Sequence, residues 1–101
     1  MKCQKQTERR VVELLGGRRV PASGRARDDS PDVEHPALAV EVKSRKRLPS
    51  WLEEGLKRAE ASARDRQLPV AILHQYTRRY ADCLVVLRLK DFAGYVNGGV
   101  E

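Results

Sequence analysis

The sequence predicts an α/β domain in which helices pack against a small β-sheet. Apolar residues recur at helical spacing near the start of the chain, alternate with polar residues in one central segment, and form two compact runs in the second half. The 101 residues correspond to one domain, residues 1–101. A chain of this size builds a thin core, and partner chains often supply the missing burial.

The first helix is predicted over Gln4 to Leu15, where apolar residues form one stripe between charged ones: Val11, Val12, Leu14 and Leu15. Gly16 and Gly17 should end it, because glycine adopts the left-handed conformation at low cost. A short strand is expected over Arg18 to Ala22. The polar segment from Ser23 to Pro31 has no periodicity and is predicted to be a loop.

A β-hairpin is predicted for Asp32 to Lys43, with its turn at His35-Pro36. The exit strand alternates, which puts one set of side chains on each face: Leu38, Val40 and Val42 against Ala39, Glu41 and Lys43. If the loop comprises His35 to Leu38, then Glu34 pairs with Ala39.

The same register would place Asp32 opposite Glu41, with Lys43 projecting from the same face. Directly opposed residues have Cβ atoms about 4.5–5.5 Å apart, and two carboxylates at that distance repel each other. A divalent cation removes the conflict, and Mg²⁺ prefers oxygen ligands. The alternative is an exposed salt bridge between Glu41 and Lys43 beside an ordinary turn aspartate.

The second half is predicted to be a helix, a strand, a loop, a strand and a short helix. Ser50 should open the helix, since Ser50 and Glu53 have the spacing of a capping box. Apolar residues line one face of it: Leu52, Leu56, Ala59 and Ala63. The remaining elements are Leu68 to Leu73 as a strand, His74 to Asp82 as a loop, Cys83 to Leu89 as a strand, and Lys90 to Val96 as the closing helix.

The charge balance points to a polyanionic partner. The net charge is +6 and the pI is about 9.7, which favours nucleic acid, although the excess could serve solubility alone. No apolar stretch approaches the ~18 residues of a membrane span. Cys3 and Cys83 lack the spacing of a disulfide framework or a metal site. A soluble, cytoplasmic protein with no membrane partner is expected.

Three segments carry a resemblance to a known family. Pro31-Asp32 followed by Glu41-Val42-Lys43 resembles the signature of the PD-(D/E)XK nucleases. The stretch from Glu8 to Leu15 is similar to the first helix of the archaeal and phage-type Holliday-junction resolvases, and Pro21 to Gly24 resembles the loop before their motif aspartate.

This resemblance implies a restriction-endonuclease-like mixed central β-sheet flanked by helices. It also implies that Asp32 and Glu41, with Glu8, are ligands of Mg²⁺ or Mn²⁺. Lys43 would be the catalytic lysine, and Ser23 a loop residue near the active site. Asp28 and Asp29 precede Asp32, so a shifted assignment stays open.

The expected function is a homodimeric, structure-selective DNA endonuclease. It would make paired nicks in branched DNA, such as a four-way junction, during DNA recombination, and it could be phage-encoded in a bacterial host. Two alternatives stay open: another nuclease of the same superfamily, with a nicking, repair or restriction-like role, and a non-catalytic basic DNA-binding protein. The residues expected to contact phosphates, unless they form a solvated charged surface, are Arg9, Arg18, Arg19, Arg25, Arg27, Arg45, Lys46 and Arg47.

The aromatic residues of the second half could have structural or binding roles. Trp51 should seal the edge of the core, although it could stack on a base or pack against a dimer partner. Tyr76 and Tyr80 lie in a basic loop and could contact either nucleic acid or a protein partner.

Overall fold

The computed structural model describes residues 4–20 and 31–98. Within these ranges the chain forms three α-helices, five short strands and one 3-10 turn, which confirms the mixed α/β class. The elements in chain order are α1 (Gln4–Leu15), β1 (Arg18–Arg19), β2 (Val33–Glu34), β3 (Ala39–Val40), α2 (Ser50–Ser62), β4 (Ala71–Leu73), the 3-10 turn (Tyr80–Asp82), β5 (Leu84–Val86) and α3 (Leu89–Val96).

The described strands form two separate antiparallel sheets. The first sheet has the order β1-β2-β3, and the second consists of β4 and β5. No parallel pair occurs among the strands of the described ranges. Strands of the first sheet span two residues and those of the second span three, so each ladder is short.

Helix α1 has the predicted boundaries, and a close backbone approach follows it. Gly16 and Gly17 both have positive φ angles, 90° and 91°, and the Gly16 N–H donates to the Val12 carbonyl at 2.8 Å. A Cβ atom on Gly17 would lie 2.2 Å from the carbonyl oxygen of Glu34. Glycine is therefore needed at position 17 for both its φ angle and its contact with β2.

The start of α2 differs from the prediction. Ser50 is the first helical residue, Pro49 holds the N-cap position, and no side-chain cap hydrogen bond forms. The predicted capping box of Ser50 and Glu53 is therefore wrong, because a serine inside the helix is past the position from which it could cap. The predicted apolar face is confirmed at Leu56, which is 2% exposed.

The core is thin, as expected for the chain length, and has two parts. Helix α3 packs on α1, and the Asn97 side-chain amide donates to the Leu15 carbonyl at 3.2 Å. Helix α2 packs on β4, where Gly55 lies next to Ala71. The buried apolar residues are Leu15, Val20, Val33, Val42 and Ala93 around the first sheet and helices α1 and α3, and Leu56 and Ala71 beneath α2.

None of the helices in the described ranges combines the length and apolarity needed to cross a membrane.

Candidate metal and nucleic-acid site

The hairpin has the predicted register around its turn. Glu34 pairs with Ala39 and Val33 with Val40, so the loop is His35 to Leu38 as the sequence indicated. The Nδ1 atom of His35 accepts a hydrogen bond from the Ala37 N–H at 3.0 Å. This bond gives His35 a turn-stabilising role.

The ladder changes at Asp32. Its backbone N–H donates to the Val40 carbonyl at 2.9 Å, although Val40 is already the ladder partner of Val33. Asp32 and Val33 are adjacent and yet both buried, at 6% and 0% exposure, whereas neighbours in a regular strand face opposite sides. A β-bulge produces this pattern and redirects a side chain. The expectation that Asp32 lies directly opposite Glu41 on one face is therefore wrong.

The Asp32 carboxylate binds the backbone of the neighbouring arm. Its Oδ2 atom accepts a hydrogen bond from the Val42 N–H at 2.6 Å, and this bond is buried. Asp32 therefore fixes the position of the residue between Glu41 and Lys43. A carboxylate offers about four acceptor sites, so this bond is compatible with cation binding through the same group.

Glu41 and Lys43 lie on the exposed side of the hairpin. Lys43 Nζ is 3.3 Å from Glu41 Oε2, and the two side chains are 66% and 61% exposed. Val42, between them, is 7% exposed, so the predicted alternation is confirmed here. An exposed pair of this kind contributes about 0–1 kcal/mol to stability. Its geometry thus leaves both groups available for a ligand at little energetic cost.

Glu8 is buried and paired with a cation. Arg19 Nε is 2.8 Å from Glu8 Oε1, and the side chains are 19% and 5% exposed. This ion pair connects α1 to β1. Glu8 was predicted to bind the metal and Arg19 to contact phosphate. In the structure the two side chains bind each other.

Helix α1 also holds the segment after β3. Gln4 Nε2 donates to the Val42 carbonyl, and Thr7 Oγ1 donates to Ser44 Oγ at 3.3 Å. A cavity of about 470 Å³ between α1, α3 and this segment is lined in part by Glu41 and Lys43. The proposed catalytic strand end therefore borders an open cleft.

The three predicted acidic ligands do not assemble as one group. Within residues 4–20 and 31–98, no cluster of three or more His, Cys, Asp or Glu side chains has the spacing of a metal site. Mg²⁺ usually takes one or two carboxylates and completes its shell with water and phosphate oxygens. Asp32 and Glu41 lie on adjoining arms of one hairpin and supply the two carboxylates that such a site uses. Glu8 is instead paired with Arg19.

The basic residues predicted to contact DNA fall into three groups. Arg9, Arg45, Lys46 and Arg47 are exposed, and the last three directly follow the Glu41–Lys43 segment. Arg18 is exposed and paired with Glu34, while Arg19 is turned toward Glu8. The predictions for Ser23, Arg25 and Arg27, and the alternative ligands Asp28 and Asp29, concern positions outside the described residues.

A second cavity, which the sequence analysis did not predict, lies beside the second sheet. It has a volume of about 590 Å³ and is lined by residues from α2, β4, β5 and the loop between the two strands. Trp51 lines it and is 57% exposed, so the prediction that Trp51 seals the core edge is wrong. The signal in the sequence was the interleaving of aromatic and basic residues between His74 and Tyr80.

A charge network also escaped sequence reasoning. Arg88 donates hydrogen bonds to Glu60 at 2.9 Å and to Glu53 at 3.2 Å. The bond to Glu60, followed by the one to Glu53, raises the pKa of Arg88 above its usual value. The same bond from Arg88 lowers the pKa of Glu60. The network joins α2 to the residue that precedes α3.

Comparison with known proteins gives no relative from which a function could be transferred. No family model, no curated protein and no solved structure matches the chain significantly. The functional proposal therefore rests on the chain's own residues.

Proposed function

We propose that this protein is a metal-dependent DNA endonuclease of the PD-(D/E)XK type, with a restriction-endonuclease-like arrangement of its helices and strands. The observation that carries the proposal is the hairpin register. The pairing of Glu34 with Ala39 brings the arm that holds Asp32 beside the arm that holds Glu41 and Lys43. Two carboxylates and an ammonium group on adjoining arms suit the hydrolysis of a phosphodiester.

Asp32 and Glu41 would hold Mg²⁺ or Mn²⁺. When bound, the metal would supply an activated water and a clamp on the scissile phosphate. Asp32 additionally positions the hairpin through its bond to the Val42 N–H. The Lys43 ammonium, which reaches Glu41, would stabilise the negative charge that develops on the phosphate. Glu8 could act as a further ligand only by exchanging its contact with Arg19.

The substrate class follows from the distribution of charge. The net charge is +6, and the exposed run Arg45-Lys46-Arg47 directly follows the catalytic segment. Phosphate contacts of this kind position the DNA backbone without reading its bases. Recognition of shape over sequence fits branched DNA, and a four-way junction is the substrate we propose.

A homodimer would complete this function, because paired nicks need two active sites and a two-fold dimer supplies them. The second sheet offers apolar surface for such an interface. Ile72 and Val85 pair across the two strands and are 59% and 56% exposed. Light scattering at micromolar concentration should give about twice the monomer mass of 11.4 kDa.

The decisive experiment is cleavage of a labelled four-way junction with and without Mg²⁺. Asp32→Asn, Glu41→Gln and Lys43→Ala should each lower the cleavage rate by about 100-fold or more, because each removes a group proposed to act on the phosphate or its metal. Lys90→Ala is the matched control. Lys90 is about as exposed as Lys43 and lies 3.2 Å from Asp91, outside the proposed site. Thermal melts should show that all four variants fold.

The alternatives give different results in the same assay. Tight junction binding by the wild type without cleavage in Mg²⁺ or Mn²⁺ would favour a non-catalytic DNA-binding protein. Equal cleavage of junctions and linear duplex would favour another nuclease of the superfamily. An active Asp32→Asn variant beside an inactive Asp29→Asn variant would move the ligand assignment to Asp29.

A further inference from the structure

The cavity beside the second sheet is placed away from the Asp32–Lys43 hairpin. Ala71 faces α2, since its Cβ lies 3.5 Å from the position a Cβ on Gly55 would take. Leu73 is two residues further along β4, so it lies on the same face of the sheet as Ala71. Leu84, its partner in β5, also lies on this face. Trp51 is one helical turn before Gly55. Trp51, Leu73 and Leu84 line a groove between the first turn of α2 and the ends of both strands.

Aromatic rings form a large part of this groove and of the loop beside it. The rings of His74 and Tyr80 stack, with centroids 4.5 Å apart and planes inclined by 22°. The ring centroids of Tyr76 and His74 are 6.4 Å apart. Tyr76 and Tyr80 are 86% and 81% exposed, as large a fraction as a surface lysine would show. Exposed aromatic rings grouped around an apolar groove form a stacking platform for a planar ligand.

The polar groups of the groove favour an anionic, hydrogen-bonding ligand. Asp82 lines it, but its carboxylate is paired with Arg79 at 3.2 Å. Arg78 also lines it and is exposed, and it has no ion-pair partner among residues 4–20 and 31–98. Gln75 adds an amide that can donate and accept. The groove therefore combines rings, one uncompensated cation and an amide.

We infer that this groove binds an unpaired nucleobase of a single-stranded nucleic-acid segment. The base would stack against Trp51 and His74, which both line the groove, and Arg78 would contact a neighbouring phosphate. Base–aromatic stacking beside a basic groove is the general way in which proteins hold single strands without sequence preference. The site requires neither a metal nor cleavage, so it stands apart from the proposed nuclease function.

The chemistry of the groove favours this occupant over a second copy of the chain. Val85 does not line the groove, is 56% exposed, and supplies plain apolar surface for a dimer. The groove instead carries the aromatic rings and Arg78. A second copy with the same net charge of +6 would bring further cations toward Arg78. A polyanionic strand would neutralise it.

Tryptophan fluorescence can be used to monitor binding in this groove, because Trp51 is the single tryptophan of the chain. Short oligothymidylate, titrated into the full-length protein in EDTA, should quench the Trp51 emission saturably. His74→Ala and Arg78→Ala should each weaken this binding, the former by about fivefold or more. His74→Phe should bind like the wild type, because it keeps a planar ring at this position. Tyr95→Ala, which removes an exposed tyrosine from α3, should also leave the affinity unchanged.

Each contrary result would overturn the inference. Absence of quenching, or equal quenching in His74→Ala, would show that no base stacks in the groove. Equal quenching by inorganic polyphosphate would show that charge alone acts there. Emission that depends on protein concentration without oligonucleotide would assign the groove to a second copy. Asp32→Asn should bind the oligonucleotide normally, so failure of the nuclease proposal and failure of this one are separable.

Discussion

The two sheets of this protein reverse the relation between polarity and burial. The strands of the first sheet are rich in charged residues, yet Glu8 and Asp32 beside it are 4% and 6% exposed. The strands of the second sheet are entirely apolar, and Leu84, Val85 and Ile72 are each more than half exposed. Cover by helices makes the difference, since α1 packs on β1 of the first sheet and α3 packs on α1, while α2 packs on β4 of the second sheet.

This contrast separates two kinds of site. In the first sheet, buried polar groups have specific partners, which fix the positions of the hairpin arms and of α1. In the second sheet, apolar and aromatic side chains lie open to ligands or partners. Chemistry that needs precise placement is therefore expected at the first sheet, and binding through stacking or apolar contact is expected at the second.

The largest effect on stability should come from the buried ion pair of the first sheet. Arg19→Ala would leave the Glu8 carboxylate buried without its cation and should lower the free energy of unfolding by about 3 kcal/mol. Arg10→Ala breaks the exposed pair with Glu13 and should cost less than about 1 kcal/mol. Urea denaturation measures both. Equal losses would show that burial does not distinguish the two pairs.

Truncation of one valine in each sheet should have a smaller effect on the free energy of unfolding, and the effect should differ between the two sheets. Val33 is fully buried in β2, so Val33→Ala should cost about 2 kcal/mol through lost contacts and a cavity. Val85 is 56% exposed in β5, and Val85→Ala should change the free energy of unfolding by less than about 0.5 kcal/mol at low protein concentration. A large loss for Val85→Ala at that concentration would mean that the face of the second sheet is covered.

The smallest effect concerns the Arg88 network that holds α2 in place. The pKa of Glu60 is lowered below its ordinary 4.5 in the folded protein by the hydrogen bond from Arg88. A lowered folded-state pKa means that the stabilisation is complete above the unfolded value and is lost as the pH falls through the folded value. The difference in melting temperature between wild type and Glu60→Gln should therefore shrink as the pH is lowered below 4.5.

Glu54→Gln is the control for this pH series. Glu54 lies on the same helix, is exposed, and has no ion-pair partner within the described part of the chain. Its substitution should leave the acid dependence of the melting temperature close to that of the wild type. The role of Arg88 would be contradicted if the difference in melting temperature between wild type and Glu60→Gln stayed the same across the acid range.

Local sequence rules were sufficient for the elements whose causes are local. The bounds of α1 follow from an apolar stripe and the glycines after it, and the structure has the same bounds. The register of Glu34 with Ala39 follows from the length of the turn between them. The exposure of Glu41 and Lys43 around the buried Val42 follows from the period of a strand. Each of these depends on residues only a few positions apart.

The sequence by itself thus determined the helix and hairpin positions, the basic charge and the identity of the acidic and lysine residues at the candidate site. Tertiary structure decided their surroundings. The partners of Glu8 and Arg88 lie 11 and 28 residues away along the chain, beyond the reach of any local pattern. The shift at Asp32 and the exposure of Trp51 depend on how strands and helices meet in space. How far a side chain is buried depends on how much of its surface neighbouring helices and strands cover. A local sequence pattern does not give that covered area.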